Sequence, residues 1–185
     1  MKPNSKIVHT HKVWGIGLGR TGTKTLCKAL NILGYKVIHN PPNLEEISSP
    51  DIDGCAEGTT ALHFKYLDLR FPDSKFILTT REISSWLKSC DKAIKNLYPI
   101  DRFKESDEFY NAMIRNRSSR YGGLDYNEEQ LITKYYQHHF DVFSHFKGRG
   151  NKLLMIDIPN GDGWEKLCPF LNIDIPNSLF PHVEL

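Results

Sequence analysis

The stretch WGIGLGRTGTKTL, residues 14–26, decides the fold, because an apolar run leads there through a glycine-rich loop into a helical pattern. The spacing from Gly17 to Gly22 is that of the phosphate-binding motif G-x-x-x-x-G-K-[ST]. In that motif a lysine follows the last glycine, whereas here Thr23 takes its place and Lys24 comes one position later. The stretch therefore indicates a phosphate-binding loop whose ligand has to be inferred from the rest of the chain.

The composition is typical of one globular domain. Of the 185 residues, 39% are hydrophobic, which is enough for one core, and we expect a single domain over residues 1–185. The sequence shows no apolar leader and no apolar run long enough to span a bilayer, so we expect a cytoplasmic protein without a membrane partner. A net charge of +2 is too small to indicate nucleic-acid binding.

Four widely spaced cysteines form no C-x-x-C pair, which favours ordinary buried or partly buried thiols over a zinc site or a disulfide framework. They are Cys27, Cys55, Cys90 and Cys168.

Short apolar runs predict four strands, and helical patterns between them predict the helices. The strands are expected within residues 12–17, 35–40, 74–81 and 152–158, and the helices within residues 23–34, 61–71, 84–98, 128–146 and 163–173. The helix over 61–71 is expected to present Leu62, Tyr66 and Leu69 on one side. Residues 41–60 are predicted to be loop-rich.

The polar middle of the chain, residues 99–127, gives a weaker pattern, with a helix expected around residues 107–115 and a mobile segment around 116–123. The order of elements is that of an α/β fold, a three-layer parallel β-sheet flanked by helices. Right-handed crossovers then bring the loops that follow the strands to one edge of the sheet. Residues 17–25 and 81–89 should therefore lie on the same side of the molecule.

The first of these segments has the chemistry of a phosphate site. Its glycines allow backbone N–H groups to turn around an anion, and the following helix N-terminus adds a partial positive charge. Side-chain donors are concentrated in the same short stretch, namely Arg20, Thr21, Thr23, Lys24 and Thr25. A glycine-rich turn required only for tight packing is the alternative interpretation.

The second segment follows the clearest predicted strand. Arg81 comes at the carboxyl end of that strand, where a guanidinium group can bind a phosphate through two parallel hydrogen bonds. Ser89 lies eight residues later, within the next helix. Arg81 alone would serve equally well in a surface ion pair.

Together the two segments resemble a known family. GLGRTGTKTL, residues 17–26, is similar to the 5′-phosphosulfate loop of the P-loop sulfotransferases, and FILTTREISSWLKS, residues 76–89, is similar to their 3′-phosphate segment. Residues 152–176 resemble the family's late strand and last helix. The most similar subgroup is the compact one with GLGRTGT and FILT-R motifs.

The resemblance implies a P-loop NTPase-like sulfotransferase fold and a reaction in which a sulfuryl group moves from 3′-phosphoadenosine 5′-phosphosulfate (PAPS) to a hydroxyl or amine acceptor. The acceptor would be a small molecule or a glycan, the product nucleotide would be 3′-phosphoadenosine 5′-phosphate (PAP), and no metal would be required. Sulfuryl transfer has no β,γ-phosphate pair for Mg²⁺ to bridge, so the metal-binding hydroxyl of a triphosphatase is not needed.

In that family the loop places a cation and a hydroxyl residue before its glycine and a second hydroxyl residue after it, which Arg20, Thr21, Gly22 and Thr23 match. Arg20 would neutralise charge on the departing nucleotide. The residues implied in binding the nucleotide are Gly19, Arg20, Thr21, Gly22, Thr23, Lys24, Thr25, Arg81 and Ser89. At Lys24 the family often has a second small hydroxyl residue, so this chain departs from the pattern there.

The acceptor needs a base in line with the sulfur. In the family this is a histidine or a carboxylate between the two phosphate segments, and Glu57 is the best positional match. His63, Asp53 and His39 are further candidates, and each of the four can equally be a surface or helix-capping residue.

A nucleoside or nucleotide kinase is one alternative, since LLMID, residues 153–157, imitates a Walker B strand ending in Asp157. A kinase would place its lysine at the position of Thr23. A non-catalytic phosphonucleotide-binding module is the other alternative.

Three arginines, Arg115, Arg117 and Arg120, can serve as a lid, as an anion receptor or as a solvated loop.

Overall fold

The described part of the computed structural model forms a single five-stranded parallel sheet with helices on both faces. It comprises residues 11–41, 43–97 and 125–183, together with positions 111, 114, 118, 121 and 123. The strands are β1 (Val13–Gly15), β2 (Val37–His39), β3 (Gly54–Ala56), β4 (Lys75–Thr79) and β5 (Leu153–Ile156). The helices are α1 (Thr23–Ile32), α2 (Leu44–Ser48), α3 (Thr59–Leu62), α4 (Phe64–Arg70), α5 (Ile83–Lys92), α6 (Glu128–His145) and α7 (Trp164–Leu171).

The strand order is β2-β3-β1-β4-β5, so the predicted three-layer α/β fold is confirmed. On one face the core joins α1 to α7, since Leu26 and Leu30 belong to the same buried cluster as Leu167. On the other face Phe64 and Leu67 of α4 pack with Val142 of α6. Each helical layer covers one apolar surface of the sheet, as a parallel sheet requires.

The prediction of a loop over residues 41–60 was wrong, because α2 and β3 lie within it. Strand β3 sits between β2 and β1, where Gly54 pairs with both Val13 and Val37. A Cβ atom at Gly54 would lie 1.8 Å from the carbonyl oxygen of Val13. The close approach of two backbones therefore demands a small residue, and the short segment Gly-Cys-Ala lacks the apolar signal of a strand.

The predicted helix over residues 61–71 is divided at His63 into α3 and α4. Leu62, Tyr66 and Leu69 are exposed, whereas Phe64 and Leu67 are the residues buried against the sheet. The break at His63 changes which side of α4 faces the core. The prediction assumed one continuous helix, so its apolar periodicity gave the wrong buried side for α4.

Helix α5 carries Trp86 and Cys90 fully buried and continues as a π-helix over Ala93–Leu97 rather than as a longer α-helix. Helix α6 begins after Asn127, whose side chain accepts a hydrogen bond from the backbone N–H of Gln130. The helix expected around 107–115 and the segment expected around 116–123 fall almost wholly outside the described residues, as do Arg115, Arg117 and Arg120.

All four cysteines are buried free thiols, as predicted. Burial raises the pKa of Cys27, Cys55 and Cys90 to about 12, which makes them unreactive at neutral pH. Within the described ranges, none of the helices combines the length and the hydropathy that crossing a membrane requires.

Candidate functional site

The loop between β1 and α1 is fixed by its glycines and by contacts to neighbouring elements. A Cβ at Gly17 would lie 1.9 Å from the hydroxyl oxygen of Thr79, so only glycine fits there. Arg20 and Gly22 have left-handed backbones, with φ of 73° and 97°. The indole N–H of Trp86 in α5 donates to the carbonyl oxygen of Gly19 at 2.9 Å. The loop is thereby held against α5 in one conformation.

Thr21 stabilises the loop from within. Its side chain is fully buried, donates to the carbonyl oxygen of Leu18 at 2.6 Å, and lies 2.7 Å from the hydroxyl of Thr79. The resemblance assigns this hydroxyl to a ligand, whereas the structure directs it into the loop.

The two predicted phosphate-binding segments meet, which confirms the expectation that they share one edge of the sheet. The Arg81 guanidinium donates from Nη1 to the carbonyl oxygen of Arg20 at 3.3 Å. The Nε of Arg20 donates to the hydroxyl of Ser89 at 3.1 Å, and the Nε of Arg81 donates to the hydroxyl of Ser85 at 2.9 Å. Both guanidinium groups are therefore held by hydroxyls of α5.

A cavity of about 1060 Å³ opens where these segments meet. It is lined by Arg20, Gly22, Thr23, Lys24, Thr25, His39, Asn40, Glu57, Arg81, Tyr121, Ile158, Pro159, Gly161, His182 and Val183. Eight of these positions were sequence candidates for binding or catalysis. Gly19, Thr21 and Ser89 lie behind the lining, in the contacts described above.

Helix α1 points its N-terminus at this cavity, since Thr23, Lys24 and Thr25 form its first turn and line the wall. The first backbone N–H groups of a helix have no partner within the helix and carry a partial positive charge. Together with two arginines and Lys24, they make this part of the cavity suited to anions.

Glu57 is the acidic residue of the cavity. It follows β3 directly, in a left-handed backbone with φ of 71°, and its backbone N–H donates to the carbonyl oxygen of Gly15 at 3.0 Å. The residue is 9% exposed. The Oε2 atom accepts a hydrogen bond from the hydroxyl of Thr23 and lies 3.0 Å from Nε2 of His39.

His39 ends β2, so the carboxyl ends of β2 and β3 and the start of α1 meet in this cluster. The carboxylate is buried, and both of these contacts fix its orientation. A carboxylate held this way beside a cation-lined cavity can take a proton from a hydroxyl or amine that enters it.

The other two base candidates lie elsewhere. His63 lines a separate cavity of about 370 Å³ between α4 and α6, alongside Lys65 and Lys134. Asp53 precedes β3, so it belongs to the opposite edge of the sheet, where its carboxylate accepts from the backbone N–H of Lys36 at 2.7 Å. The structure thus brings Glu57 and His39 to the cavity and leaves His63 and Asp53 outside it.

Asp157, the residue that imitates a Walker B aspartate, caps the short 3₁₀ helix Ile158–Asn160 through the backbone N–H of Asn160. Burial raises the pKa of its carboxyl, and the nearby Asp162 adds to the effect. Within the described residues there is no cluster of three or more histidine, cysteine or acidic side chains positioned to hold a metal ion.

Seven lining residues were not predicted from the sequence: Asn40, Tyr121, Ile158, Pro159, Gly161, His182 and Val183. Ile158 and Pro159 directly follow β5, and the rule that placed Arg81 at the carboxyl edge of the sheet would have found them. The position of His182 depends on tertiary packing, for which the local sequence carries no signal.

Comparisons with known proteins identify the family of the chain. The family model described as "Sulfotransferase domain" matches residues 12–52 and 40–184. The "Ava biosynthesis cluster protein M" of Aspergillus versicolor is 24% identical over an alignment of 209 positions, which covers 93% of this chain and 80% of that protein. Because the family model matches most of the length of this chain, the chain belongs to the sulfotransferase family.

Proposed function

We propose that this chain transfers a sulfuryl group from PAPS to a hydroxyl or amine of a small-molecule or glycan acceptor. The observation that carries the proposal is that Arg20, Arg81, the first turn of α1 and Glu57 all line the same cavity. One part of that cavity can bind two phosphates, and another part holds a carboxylate that can accept a proton. Family membership supports the same chemistry.

The nucleotide binds with its 5′-phosphosulfate at the start of α1 and its 3′-phosphate at Arg81. Backbone N–H groups and the side chains of Thr25 and Lys24 supply donors at the first position. The guanidinium of Arg81, held by Ser85, supplies two parallel hydrogen bonds at the second. Recognition of a 3′-phosphate separates this site from that of a kinase, which binds a 5′-triphosphate.

The acceptor lies on the side of Glu57. The acceptor oxygen or nitrogen forms a new bond to sulfur while the bond from sulfur to the bridging 5′-phosphate oxygen breaks, and that oxygen keeps the electron pair. The acceptor's proton passes to the Glu57 carboxylate. Arg20 and the helix N-terminus stabilise the charge that develops on the departing PAP.

Thr23 has two possible partners in this scheme. Its hydroxyl donates to Glu57 in the structure described here, although its position in the first turn of α1 also puts it beside the 5′-phosphate. His39, whose Nε2 lies 3.0 Å from the same carboxylate oxygen and 3.2 Å from the Thr23 hydroxyl, keeps Glu57 oriented when Thr23 turns to the phosphate.

Nucleotide preference tests the binding half of the proposal. We expect PAP to raise the melting temperature more than ADP, ATP or GTP at equal concentration, because PAP alone among them carries a 3′-phosphate. Arg81→Ala should abolish that preference. Arg70→Ala removes an exposed arginine at the end of α4 and should leave it unchanged.

Transfer of radiolabelled sulfate from PAPS to a panel of alcohols, phenols, amines and oligosaccharides tests the catalytic half. Labelled product formed by the wild type but not by Arg81→Ala supports the enzyme. A chain that binds PAP and transfers nothing to any acceptor is a non-catalytic nucleotide-binding module, and a chain that prefers ATP to PAP is a kinase candidate.

A further inference from the structure

A second cavity, of about 370 Å³, lies beside α6, and the proposed function assigns it no role. One wall is formed by residues 61–66, which run from α3 into α4, and the other wall by one side of α6. It shares no lining residue with the cavity that holds Arg20 and Glu57. Its volume falls within the range of small-molecule sites, about 300–1,000 Å³. This space, which we call the α6 cavity, is therefore large enough for a ligand of its own.

A buried histidine of α6, His138, lines the α6 cavity, with 9% of the residue exposed. Its Nε2 donates to the carbonyl oxygen of Ile16 at 2.7 Å, so Nε2 carries the ring proton. Burial lowers the pKa of His138 to about 4, and the ring is therefore neutral at pH 7 with an unprotonated Nδ1. No residue in the described part of the chain donates a hydrogen bond to Nδ1. Because Nε2 is turned to the backbone of Ile16, Nδ1 is the nitrogen that this ring offers to the cavity.

An acceptor of this kind favours a ligand that carries an O–H or N–H group. A buried polar atom without a partner costs free energy, which a new hydrogen bond recovers. The imidazole is held in place by Ile16 and by Phe64, whose ring packs edge to face at 88° with 6.1 Å between the ring centroids. The acceptor is therefore presented in one orientation.

Apolar surface lies on the wall opposite His138. Leu62 and Tyr66 line that wall, and both are large exposed side chains. Large apolar side chains that stay exposed beside a cavity gain contact area when a flat aromatic ring covers them. This wall therefore favours an aromatic ligand.

The charged side chains of the α6 cavity favour an anion. Lys65 of α4 is exposed, Lys134 of α6 is half-buried, and both line the cavity. Asp141 is the acidic residue of the lining, and its carboxylate accepts a hydrogen bond from Nε2 of Gln137 at 3.2 Å. Two ammonium groups against one carboxylate leave positive charge for a ligand carboxylate to balance.

We propose that the α6 cavity binds a small hydroxylated aromatic acid, such as a hydroxybenzoate. The hydroxyl group donates to Nδ1 of His138, and the ring lies against Leu62 and Tyr66. The carboxylate lies near the two lysines. Ile16 leads from β1 into the phosphate loop, so an occupant that fixes His138 also supports the start of that loop.

Calorimetric titration with three probes tests the site. 4-Hydroxybenzoate carries the ring, the hydroxyl and the carboxylate, whereas benzoate lacks the hydroxyl and phenol lacks the carboxylate. We expect 4-hydroxybenzoate to bind about three- to tenfold more tightly than benzoate, which is the range of one hydrogen bond. It should also bind more tightly than phenol, and added salt should reduce that second preference.

Three variants locate the binding. His138→Gln keeps a donor that can reach Ile16 but removes Nδ1, so 4-hydroxybenzoate should lose its preference over benzoate. Lys134→Ala should weaken the binding of both carboxylates and leave that of phenol unchanged. Lys147→Ala is the matched control and should change none of the three affinities, because Lys147 is exposed just beyond α6 and lines neither cavity.

The proposal is overturned when 4-hydroxybenzoate gives no saturable heat at millimolar concentration, or binds no more tightly than benzoate. It is also overturned when Lys134→Ala binds all three probes as the wild type does, because the ligand then lies elsewhere. If His138→Gln does not fold, the wild-type comparison and Lys134→Ala decide the question. Failure of this site leaves the proposed function unchanged, since the site shares no group with the cavity of Glu57.

Discussion

Two buried carboxylates, Asp68 and Glu57, are surrounded in opposite ways. Asp68 is 8% exposed and accepts hydrogen bonds from three basic side chains: Lys152 and Arg149, each at 2.6 Å, and His145 at 2.8 Å. Glu57 is 9% exposed, but it contacts the hydroxyl of Thr23 and the ring of His39, and it lines a large cavity. Equal burial thus accompanies very different surroundings.

The surroundings of Asp68 are typical of a carboxylate that stabilises the fold. Burial alone would raise the pKa of Asp68, but the hydrogen bonds from Lys152, Arg149 and His145 outweigh it and hold the pKa at about 2. These contacts link α4 to the end of α6 and to the approach to β5. Glu57 instead faces a space that an acceptor can enter, in a strained left-handed backbone. We therefore expect Asp68 to contribute to stability, and its contrast with Glu57 is the basis for proposing Glu57 as the base.

The substitution with the largest expected effect is at Glu57, and it acts on the reaction rate and not on stability. Glu57→Gln should lower the rate of sulfuryl transfer by about 10²–10⁴, because an amide cannot take the acceptor's proton. PAP affinity and melting temperature should stay near those of the wild type, since glutamine fills the same space. Steady-state kinetics and calorimetry on one preparation test both statements. Full turnover by this variant would remove Glu57 from the mechanism.

The converse substitution, Asp68→Asn, should lower the free energy of unfolding by about 2–3 kcal/mol, since it leaves three basic groups without their anion. Urea denaturation measures the loss. The folded variant should transfer sulfate at the wild-type rate, because Asp68 is not among the residues that line the cavity. A large loss of rate at full folding would contradict the division between the two carboxylates.

Acid should reveal the contribution of Asp68 in a defined pH range. Its pKa in the folded chain is about 2, below the ordinary value of 3.8, so the unfolded chain binds the proton more readily. The stabilisation, about 2 kcal/mol, is complete above pH 4 and is lost as the pH falls towards 2. Unfolding free energies of the wild type and of Asp68→Asn should differ above pH 4 and converge near pH 2. Parallel curves over that range would refute the assignment.

A smaller effect is expected from the partner of Glu57. His39→Gln keeps a hydrogen-bond donor near Oε2 of Glu57 but removes the imidazole ring. We expect it to lower kcat about tenfold, because His39 is proposed to orient the base. The KM for PAPS should be retained, because His39 is not proposed to contact a phosphate. His39→Ala should cost more. If both variants instead raised KM without changing kcat, His39 would belong to nucleotide binding.

The sequence predicted the elements whose signals are local and strong. The glycine loop, the apolar run before Arg81 and the helices within residues 23–34, 128–146 and 163–173 were placed correctly, and the rule on strand ends then brought Arg20 and Arg81 together. Glu57, chosen from its position in the family pattern, lines the cavity, and its role as the base stays a prediction. These predictions succeeded because each depends on a few neighbouring residues.

The failures arose where packing overrides local pattern. Strand β3 is composed of glycine, cysteine and alanine because Gly54 lies against Val13, and small residues resemble a loop. His182 reaches the cavity through the contact of Phe180 with Trp164, which is an interaction between distant parts of the sequence. The periodicity of apolar residues along the sequence cannot predict such a contact.

A crystal structure of the chain with PAP tests the central claim most directly. We expect the 5′-phosphate at the first turn of α1, the 3′-phosphate on the guanidinium of Arg81, and the carboxylate of Glu57 facing the position of the transferred sulfur. PAP bound outside this cavity, or bound within it without contact between its 3′-phosphate and Arg81, would contradict the account.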